Sequence, residues 1–470
     1  MQEMIDLHNQ IKTLFDDAIF VVDAKTGGAW THKEAWQRAN ALADSFISLG
    51  SSKIALVMEN GMELFLCYFA AMLSGITILP IDPQKSEREI DLILGDYPNI
   101  PVLKTGDEIF QCLSEHFIDE SKLLAKLDEI DLEKEFMITF TSGSTGIPKG
   151  VRHTLKSLFG AAQAFGEATA LGKEHVMCHV MPMTYMAGIL NTILMPFLRG
   201  CRIVLFPRFD VMSAISFWKN VKTYGVNAFW LSPTMLNVLI AVDKKGRGKD
   251  ALEGKTPLFF IGTAPLYEEV RNKFEALYGV RLLQSYGLSE TLFLSTEIPE
   301  KKSDTSAVGY LLPGVKIHFA QDGEILIDVP WMFMGYSNDD TASYFSGSSY
   351  CSGDLGKVTD GLLFLTGRKK DLIIKGGMNI SPRQIEVAIL KSQVVTELAV
   401  VGVKSKDEER IVCFYVPTDA ASFDEAQINR LVETECGKHC RIDHFQEVKE
   451  IPKNLNGKAD KKALLKDFTL

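Results

Sequence analysis

The chain has 470 residues, of which 46% are hydrophobic and 23% charged; this is an ordinary globular composition, and the length predicts two or three domains. Its formal net charge of -10 argues against a protein that binds nucleic acid or anionic membrane surfaces broadly. Eight cysteines are scattered without a disulfide framework or a complete zinc-ligand pattern, which is typical of a protein from a reducing compartment.

The N-terminal segment and the longest apolar run show no pattern of export or membrane insertion. Residues 1–17 lack the basic-then-apolar order of a signal peptide. The longest apolar run, Leu64–Leu73, is too short to cross a bilayer. We therefore expect a cytoplasmic protein with no membrane span and no nucleic-acid partner.

Helix and strand signals alternate through the first half of the chain. Thr31–Glu34 is a capping-box sequence before a helical pattern that ends at Gly50. The patterns that follow predict, in chain order, strand Lys53–Met58, helix Glu63–Ser74, strand Ile76–Ile81, strand Phe136–Phe140, strand Arg202–Phe206, helix Ala214–Tyr224, strand Asn227–Leu231 and a helix that starts at Ser232 and Pro233. This alternation indicates α/β architecture.

A loop rich in glycine and hydroxyl groups follows the strand Phe136–Phe140. Thr141–Gly150 reads Thr-Ser-Gly-Ser-Thr-Gly-Ile-Pro-Lys-Gly, and it combines several hydroxyls and glycines with one lysine. Glycines let the backbone approach an anion closely, and hydroxyls and amides donate to phosphate oxygens. Pro148 precedes Lys149, which excludes the P-loop of nucleotide triphosphatases because that motif needs Gly-Lys-Ser/Thr. The loop therefore predicts a phosphate site of another kind.

The sequence pattern changes in the last third of the chain. Between about residues 309 and 366, short alternating runs lie among Gly, Ser and Asp, which predicts a β-rich part. The charged stretch Arg368–Asp371 precedes a segment with its own strands, Leu398–Val403 and Arg410–Val416, and its own helices. We expect a large N-terminal domain over residues 1–369, built of α/β subdomains and the β-rich part, and a small α+β C-terminal domain over residues 371–470.

The phosphate loop is the first of seven short motifs that follow one another along the chain. They are Thr141–Gly150, Pro182–Gly188, Gly262–Pro265, Gln284–Thr291, Ser352–Asp354, Gly367–Pro382 and Asn456–Lys458. Together they resemble the adenylate-forming superfamily, which includes acyl- and aryl-CoA ligases, peptide-synthetase adenylation domains and beetle luciferases. Because each motif is weak alone, the resemblance depends on their common order, which extends from about residue 20 to the end of the chain.

The resemblance implies that ATP activates a carboxylic acid as an acyl-adenylate with release of pyrophosphate. It assigns the catalytic roles to Lys458, Lys149, Ser289 and Glu290, with Glu290 as the magnesium ligand. The residues that it assigns to the nucleotide are Thr141, Ser142, Gly143, Ser144, Thr145, Gly146, Ala264, Pro265, Tyr286, Asp354 and Arg368. In this interpretation Tyr286 stacks on adenine, Asp354 accepts hydrogen bonds from the ribose hydroxyls, and Arg368 supports the ribose.

A second half-reaction is also implied, in which the small domain turns about one hinge residue, Lys370. This rotation withdraws Lys458 and brings the loop of Gly376 and Gly377 beside a pantetheine thiol. Ser381–Gln384 carries an N-cap, an N1 proline and a capping-box pattern, so a helix is expected behind that loop.

The sequence does not identify the thiol that accepts the acyl group. Coenzyme A is the leading candidate, and the phosphopantetheine arm of an acyl or aryl carrier protein is the second. A non-catalytic ATP-binding relative is a third alternative; the presence of Lys149, Glu290, Asp354 and Lys458 argues against it.

The resemblance places the acyl pocket at Tyr185, Gly262, Thr263, Ser285 and Gly287. No carboxylate stands near Tyr185 to bind an α-ammonium group, which disfavours α-amino acids. Thr263 and Ser285 stand where relatives often have glycine or alanine, so the cavity should be short or narrow. We therefore expect a small or medium acid, or one with a polar group that meets these hydroxyls.

Overall fold

A computed structural model of the chain describes residues 2–114, 120–141, 148–301, 304–404, 409–418, 423–453, 459–466 and 468. The protein is mixed α/β, with a large N-terminal part and a small C-terminal part, as the sequence predicts.

The first part of the chain supplies most of the smaller of two large sheets. Its helices and strands are α1 (Gln2–Thr13), β1 (Ile19–Asp23), β2 (Ala29–Thr31), α2 (His32–Ser48), β3 (Lys53–Val57), α3 (Met62–Ser74), β4 (Thr77–Ile81), α4 (Glu87–Gly95), β5 (Val102–Lys104), α5 (Glu120–Asp128), β6 (Glu135–Thr141) and β7 (Lys149–Thr154). Strands β5, β3, β4 and β6 lie parallel in that order, and β7 pairs antiparallel with β6. Every residue of β4 is buried, which is typical of a parallel strand covered on both faces.

Helix α2 begins where its capping sequence predicts. The Thr31 side chain accepts a hydrogen bond from the backbone N–H of Glu34, and the Glu34 carboxylate accepts one from the N–H of Thr31. This confirms the predicted capping box. The helix ends at Ser48, slightly before the expected Gly50.

The next part of the chain builds parallel strands with helices between them. Its elements are α6 (Leu155–Ala168), β8 (Val176–His179), α7 (Met195–Leu198), β9 (Arg202–Leu205), α8 (Val211–Tyr224), β10 (Ala228–Leu231), α9 (Pro233–Val242), α10 (Arg247–Leu252), β11 (Leu258–Ile261), α11 (Glu268–Tyr278), β12 (Leu282–Leu288) and β13 (Leu292–Thr296). Strands β1, β9, β8, β10, β11 and β12 lie side by side and parallel. Ser232 caps α9 through Met235 N, which confirms its predicted start.

The predicted β-rich part extends the same sheet. Its strands are β14 (Tyr310–Leu311), β15 (Lys316–Phe319), β16 (Glu324–Asp328), β17 (Gly335–Tyr336), β18 (Phe345–Ser346), β19 (Ser349–Thr359) and β20 (Leu362–Arg368). From β12 the sheet continues antiparallel through β13, β14, β20, β19, β16 and β15. β17 instead pairs with β7 of the smaller sheet, so one short strand of this part contacts the base of the phosphate loop.

The C-terminal part has its own sheet and its own core. Its elements are β21 (Ile373–Lys375), β22 (Met378–Ile380), α12 (Pro382–Leu390), β23 (Val395–Lys404), β24 (Glu409–Pro417), α13 (Glu425–Cys436), β25 (His444–Glu447) and α14 (Lys461–Lys466). β23 and β24 are antiparallel, and β25 lies parallel to β24. Ile373, Ile385, Val400 and Ile411 are buried together in a core of this part.

Helix α12 begins at Pro382, as the sequence predicts, but its cap differs. The Ser381 hydroxyl donates to the carbonyl oxygen of Thr366 at 2.6 Å and makes no side-chain capping bond. The predicted capping box with Gln384 is therefore wrong, because a tertiary acceptor takes the hydroxyl. Across the ranges that the structure describes, no helix combines the length and the apolar character needed to cross a membrane.

Candidate functional site

A small cavity lies where the parallel strands β8, β10, β11 and β12 end. Its volume is about 80 Å³. The five residues predicted for the acyl pocket all line it: Tyr185, Gly262, Thr263, Ser285 and Gly287. In open parallel sheets the carboxyl ends of neighbouring strands meet at one edge, and ligands bind there. Contact between these five residues and an acid stays a prediction.

The backbone of the cavity wall that carries Tyr185 is hydrogen-bonded to α3 and to the loop before it. Tyr68 donates from its hydroxyl to the carbonyl oxygen of Met183 at 2.6 Å, and the Met183 N–H donates to Asn60 Oδ1 at 2.8 Å. A Cβ at Gly188 would lie 1.9 Å from the carbonyl oxygen of Pro182, so this close approach requires glycine. The wall is thus fixed by specific bonds.

Residues Ala187–Leu194 continue this wall as a π-helix. Such segments often occur at functional sites, because the wider turn displaces side chains from α-helical positions. Asn191 lies in it, lines the cavity and is only 6% exposed. It is a polar residue in an apolar run, a signal that the sequence contained and that our interpretation missed.

The two hydroxyls predicted to shape the pocket differ in their bonding. Ser285 donates from Oγ to the carbonyl oxygen of Ile261 at 3.1 Å. Thr263 Oγ1 is buried without a hydrogen-bond partner among the described residues. Thr263 also has a φ of 70°, in the left-handed region that β-branched residues rarely adopt. Among the described residues, Thr263 therefore combines a strained backbone with a buried hydroxyl that has no partner.

We expect Thr263→Gly to raise the free energy of unfolding by about 0.5–1 kcal/mol, because glycine adopts this φ without the steric cost of a side chain. Thermal unfolding of the purified variant measures the change. Ser285→Gly is the matched control: its backbone lies in strand β12, and the change removes a hydrogen bond, so it should lower stability. A lower melting temperature for Thr263→Gly would contradict strain at this residue.

Three of the residues predicted to bind the nucleotide form one hydrogen-bonded group. The Tyr286 hydroxyl donates to Asp354 Oδ2 at 2.6 Å, and Arg368 Nε donates to Asp354 Oδ1 at 3.0 Å. Asp354 is 4% exposed, and its position is fixed because it pairs with Arg368 across β19 and β20. Burial, followed by the Asp354 charge, raises the pKa of Tyr286 well above 10, so this hydroxyl remains a donor. Carboxylate oxygens have further lone pairs, so the group fits ribose hydroxyls.

Glu290, the predicted magnesium ligand, lies in the tight turn between β12 and β13. The Tyr336 hydroxyl donates to Glu290 Oε1 at 2.8 Å, and the backbone N–H of Phe333 donates to the Glu290 carbonyl at 3.0 Å. The described residues contain no group of three or more acidic, histidine or cysteine side chains placed to hold a metal. A single fixed carboxylate fits magnesium, which takes few protein ligands and fills its shell with phosphate oxygens and water.

A buried histidine supports the same turn, and the sequence interpretation missed it. His153 Nε2 donates to the carbonyl oxygen of Ser289 at 2.7 Å. Burial lowers the pKa of His153 to about 4, so the ring is neutral near pH 7. A carbonyl only accepts, so the ring proton lies on Nε2. His153 is on β7, so it connects the strand after the phosphate loop to the turn of Ser289 and Glu290.

Lys149 lies at the base of the phosphate loop and is paired with acidic and aromatic groups. Its Nζ is 2.6 Å from Asp339 Oδ2 and also contacts the Tyr344 hydroxyl. It lies over the rings of Tyr336 and Tyr344, at 5.5 and 4.4 Å from their centroids. Tyr336 therefore contacts both Lys149 and Glu290, which places the two predicted catalytic residues in one cluster.

Thr141 pairs with Lys149 in the antiparallel register of β6 and β7, so these residues form the two ends of the phosphate loop. Ser142, Gly143, Ser144, Thr145 and Gly146 lie outside the described residues. A Cβ at Gly150 would lie 2.2 Å from Ser337 Oγ, and the Gly150 N–H donates to Asn338 Oδ1 at 3.1 Å. The base of the loop thus requires glycine at that position.

The remaining predicted residues lie around this edge and on the C-terminal part. Ala264 and Pro265 follow β11, directly after the cavity residue Thr263. Gly376 and Gly377 form the turn between β21 and β22, with φ values of 57° and 76°. Lys458 lies outside the described residues, between Lys453 and Ala459, which form an antiparallel bridge.

The sequence matches two family models. One is described as AMP-binding enzyme and covers residues 8–337; the other is described as AMP-binding enzyme C-terminal domain and covers residues 384–458. A mitochondrial malonate–CoA ligase of Xenopus laevis is 23% identical over 97% of this chain and 90% of its own length. A long-chain-fatty-acid–CoA ligase of Mycobacterium tuberculosis is 26% identical over 95% of each chain.

The fold has close counterparts among solved structures. The crystal structure of ATP-bound MatB from Rhodopseudomonas palustris superposes with a TM-score of 0.85 at 23% identity, over 98% of each chain. The likeness therefore includes the C-terminal part as well as the large sheets.

Proposed function

Since the chain belongs to the AMP-binding enzyme family, we propose that it is an acid–CoA ligase: it activates a carboxylic acid with ATP and transfers the acyl group to the thiol of coenzyme A. One observation carries the proposal. The uncharged cavity, the Tyr286–Asp354–Arg368 group and the fixed carboxylate of Glu290 adjoin one another, because β12 and the turn after it contribute to all three.

In the first step an oxygen of the substrate carboxylate bonds to the α-phosphorus of ATP, and the bond to pyrophosphate breaks. Both reactants are anions, so positioned positive charge is the main requirement. Asp354 and Arg368 orient the ribose, while the Ser289 hydroxyl donates to the α-phosphate. Glu290 would hold magnesium, which would neutralise phosphate charge. Lys149 exchanges Asp339 for a phosphate oxygen, and Lys458 meets the carboxylate and the α-phosphate.

In the second step the thiol sulfur bonds to the acyl carbon, the acyl–phosphate bond breaks, AMP leaves, and the thiol proton passes to solvent. The contacts around Lys370 support a hinge there. On its N-terminal side, Lys369 Nζ binds Asp322 at 2.6 Å and Glu324 at 2.9 Å. On its C-terminal side, Ile373 is buried in the core of the C-terminal part. Lys370 itself is exposed between these two anchors.

We expect Lys370→Pro to spare adenylate formation and to lower thioester formation roughly tenfold or more, because proline restricts the backbone rotation that a hinge requires. Pyrophosphate release and thioester yield from supplied acyl-adenylate measure the two steps separately. Lys370→Ala is the control, since it removes the same side chain and leaves the backbone free. Normal thioester formation in the proline variant would count against this pivot.

The function is tested by ATP–pyrophosphate exchange over a broad panel of carboxylic acids, followed by mass spectrometry with coenzyme A present. An acid-dependent exchange together with an acyl-CoA product is expected. No exchange with any acid would instead favour a non-catalytic ATP-binding relative.

A carrier protein is the second candidate acceptor. The side chains of Ile374 and Met378, next to the turn of Gly376 and Gly377, are 58% and 45% exposed, so apolar surface is available beside the loop that would meet the thiol. Thioester on a supplied phosphopantetheinyl carrier protein, with none on free coenzyme A, would select this alternative.

The cytoplasmic location predicted from the sequence is part of the same proposal. One related ligase is mitochondrial by name, so the family alone does not fix the compartment. Fractionation of cells that produce the tagged protein would test it.

A further inference from the structure

Asp339 holds the ammonium group of Lys149, and this contact bears on how strongly phosphates bind there. The inference rests on the proposed function, in which Lys149 meets a phosphate oxygen of ATP. Lys149 Nζ lies 2.6 Å from Asp339 Oδ2, and the two side chains are 18% and 32% exposed. Because such a pair is partly shielded from water and salt, it keeps more of its Coulomb energy than a fully exposed pair.

The carboxylate of Asp339 is fixed by further hydrogen bonds to both of its oxygens. The Tyr344 hydroxyl donates to Oδ2 at 2.7 Å and accepts from Lys149 Nζ. The backbone N–H of Asp340 donates to Oδ1 at 2.8 Å. The Lys149 ammonium, followed by the Tyr344 hydroxyl, holds the pKa of Asp339 below its usual range. The carboxylate is therefore a fixed negative charge at neutral pH.

The residue before Asp339 is bonded to the backbone on both sides of Lys149. Asn338 Oδ1 accepts from the Gly150 N–H at 3.1 Å, and Asn338 Nδ2 donates to the carbonyl oxygen of Pro148 at 2.9 Å. Bonds on both sides hold the two segments in register. Asp339 therefore keeps its place beside the base of the phosphate loop.

The Asp339 carboxylate and a phosphate compete for one ammonium group. In the proposed first step Ser289 and Lys458 meet the α-phosphate, so Lys149 serves the phosphates that leave as pyrophosphate. If Lys149 turns to such a phosphate, its ion pair with Asp339 is lost. If it holds both, two anions lie on either side of one cation and repel each other. In either arrangement the charge of Asp339 lowers the affinity for these phosphates.

We propose that Asp339 is an internal competitor for Lys149, which weakens the binding of ATP and of pyrophosphate and so favours the departure of pyrophosphate after adenylation. When pyrophosphate leaves, the carboxylate restores the ion pair, so the ammonium keeps a counter-charge. This matters because product release often limits enzyme turnover.

Asp339→Asn tests the proposal, because it removes the charge and keeps the shape. The asparagine oxygen can still accept from the Asp340 N–H, so the local backbone is kept. Calorimetry on the full chain with magnesium, and without an acid, gives the Kd of α,β-methylene-ATP and of pyrophosphate. We expect both Kd values to fall about fivefold, which corresponds to one partly exposed ion pair.

Two controls separate this effect from a general change of charge or of fold. Asp340→Asn removes the same charge at the next residue, whose carboxylate accepts from Ala342 N at 3.1 Å. Both Kd values should change about twofold or less in that variant. AMP lacks the phosphates that leave as pyrophosphate, so its Kd should also change about twofold or less in Asp339→Asn.

Each other result overturns a stated part of the proposal. An equal or higher Kd for α,β-methylene-ATP in Asp339→Asn would overturn the competition, and an unchanged Kd for pyrophosphate would overturn the effect on its release. An equal fall in Asp340→Asn would overturn the specific pair, and an equal fall for AMP would overturn the assignment of Lys149 to the departing phosphates. These constants need no acid, so they are distinct from failure of the proposed function, in which no acid in a broad panel supports exchange.

Discussion

Replacing Lys458 with alanine should lower acyl-adenylate formation by about 10²–10³-fold and leave thioester formation from supplied acyl-adenylate nearly unchanged. The expected loss is large because two anions react in the first step, and a lysine that meets both stabilises the charge as they approach. In the second step the thiol attacks the acyl carbon of a mixed anhydride that has already formed, so this charge is not required there. Single-turnover measurements of each half-reaction give the two rates.

The described surroundings of Lys458 support its place near the nucleotide. Asp460 N donates to the Pro452 carbonyl at 2.7 Å, which brings together the described residues on either side of Lys458. Lys461 Nζ lies 3.9 Å from Glu386 Oε1 on α12. Burial, followed by the charge of Glu386, raises the pKa of Tyr267, which follows the predicted nucleotide residues Ala264 and Pro265. Glu386 is therefore near both Lys461, which follows Lys458 in the chain, and this predicted nucleotide segment.

The control for Lys458 is another lysine close to it in the sequence. Lys453 pairs with Glu397, and both side chains are about one-third exposed, so Lys453→Ala should change either rate little. Equal losses in both half-reactions for Lys458→Ala would contradict the rotation of the C-terminal part. A loss in Lys453→Ala as large as that in Lys458→Ala would contradict a specific role for the charge of Lys458.

Replacing Glu290 with glutamine should lower adenylate formation about 100-fold or more and raise the magnesium concentration needed for half-maximal rate. Glutamine keeps the shape and can still accept from Tyr336, so the change removes charge with little loss of packing. Initial rates of pyrophosphate release across a magnesium titration measure both effects.

Tyr336→Phe keeps the Glu290 carboxylate and tests the hydrogen bond that positions it. It removes the hydroxyl that donates to Glu290 Oε1 and keeps the ring beneath Lys149. We expect a loss of about tenfold or less, in line with one hydrogen bond to a charged group. If Glu290→Gln leaves the magnesium dependence unchanged, Glu290 is not the metal ligand.

The sequence predicted the cavity residues better than it predicted their surroundings. Tyr185, Gly262, Thr263, Ser285 and Gly287 come together because they lie on or after neighbouring parallel strands, and the motif order follows the strand order. Trp230 and Phe293 also line the cavity, yet they stand inside strands as ordinary buried aromatic residues. A period-two pattern does not distinguish a core position from a cavity wall.

Local sequence patterns predicted the structure correctly where the hydrogen-bond partners lie close together in the sequence. The Thr31 capping box formed because both of its partners lie within four residues. The same pattern at Ser381 did not form, because Thr366 offers a carbonyl from a distant strand. The partners of Lys149, which are Asp339 and Tyr344, are likewise far along the chain, and only the fold brings them to the phosphate loop.

The Ser381–Thr366 bond joins a residue after the hinge to one before it. If the C-terminal part turns at Lys370, this bond opens in every catalytic cycle. A neutral hydrogen bond contributes about 1 kcal/mol, which corresponds to about a fivefold change in the ratio of two conformers. Under the proposed rotation, this one hydroxyl would therefore shift the ratio of the two orientations of the C-terminal part by about that factor.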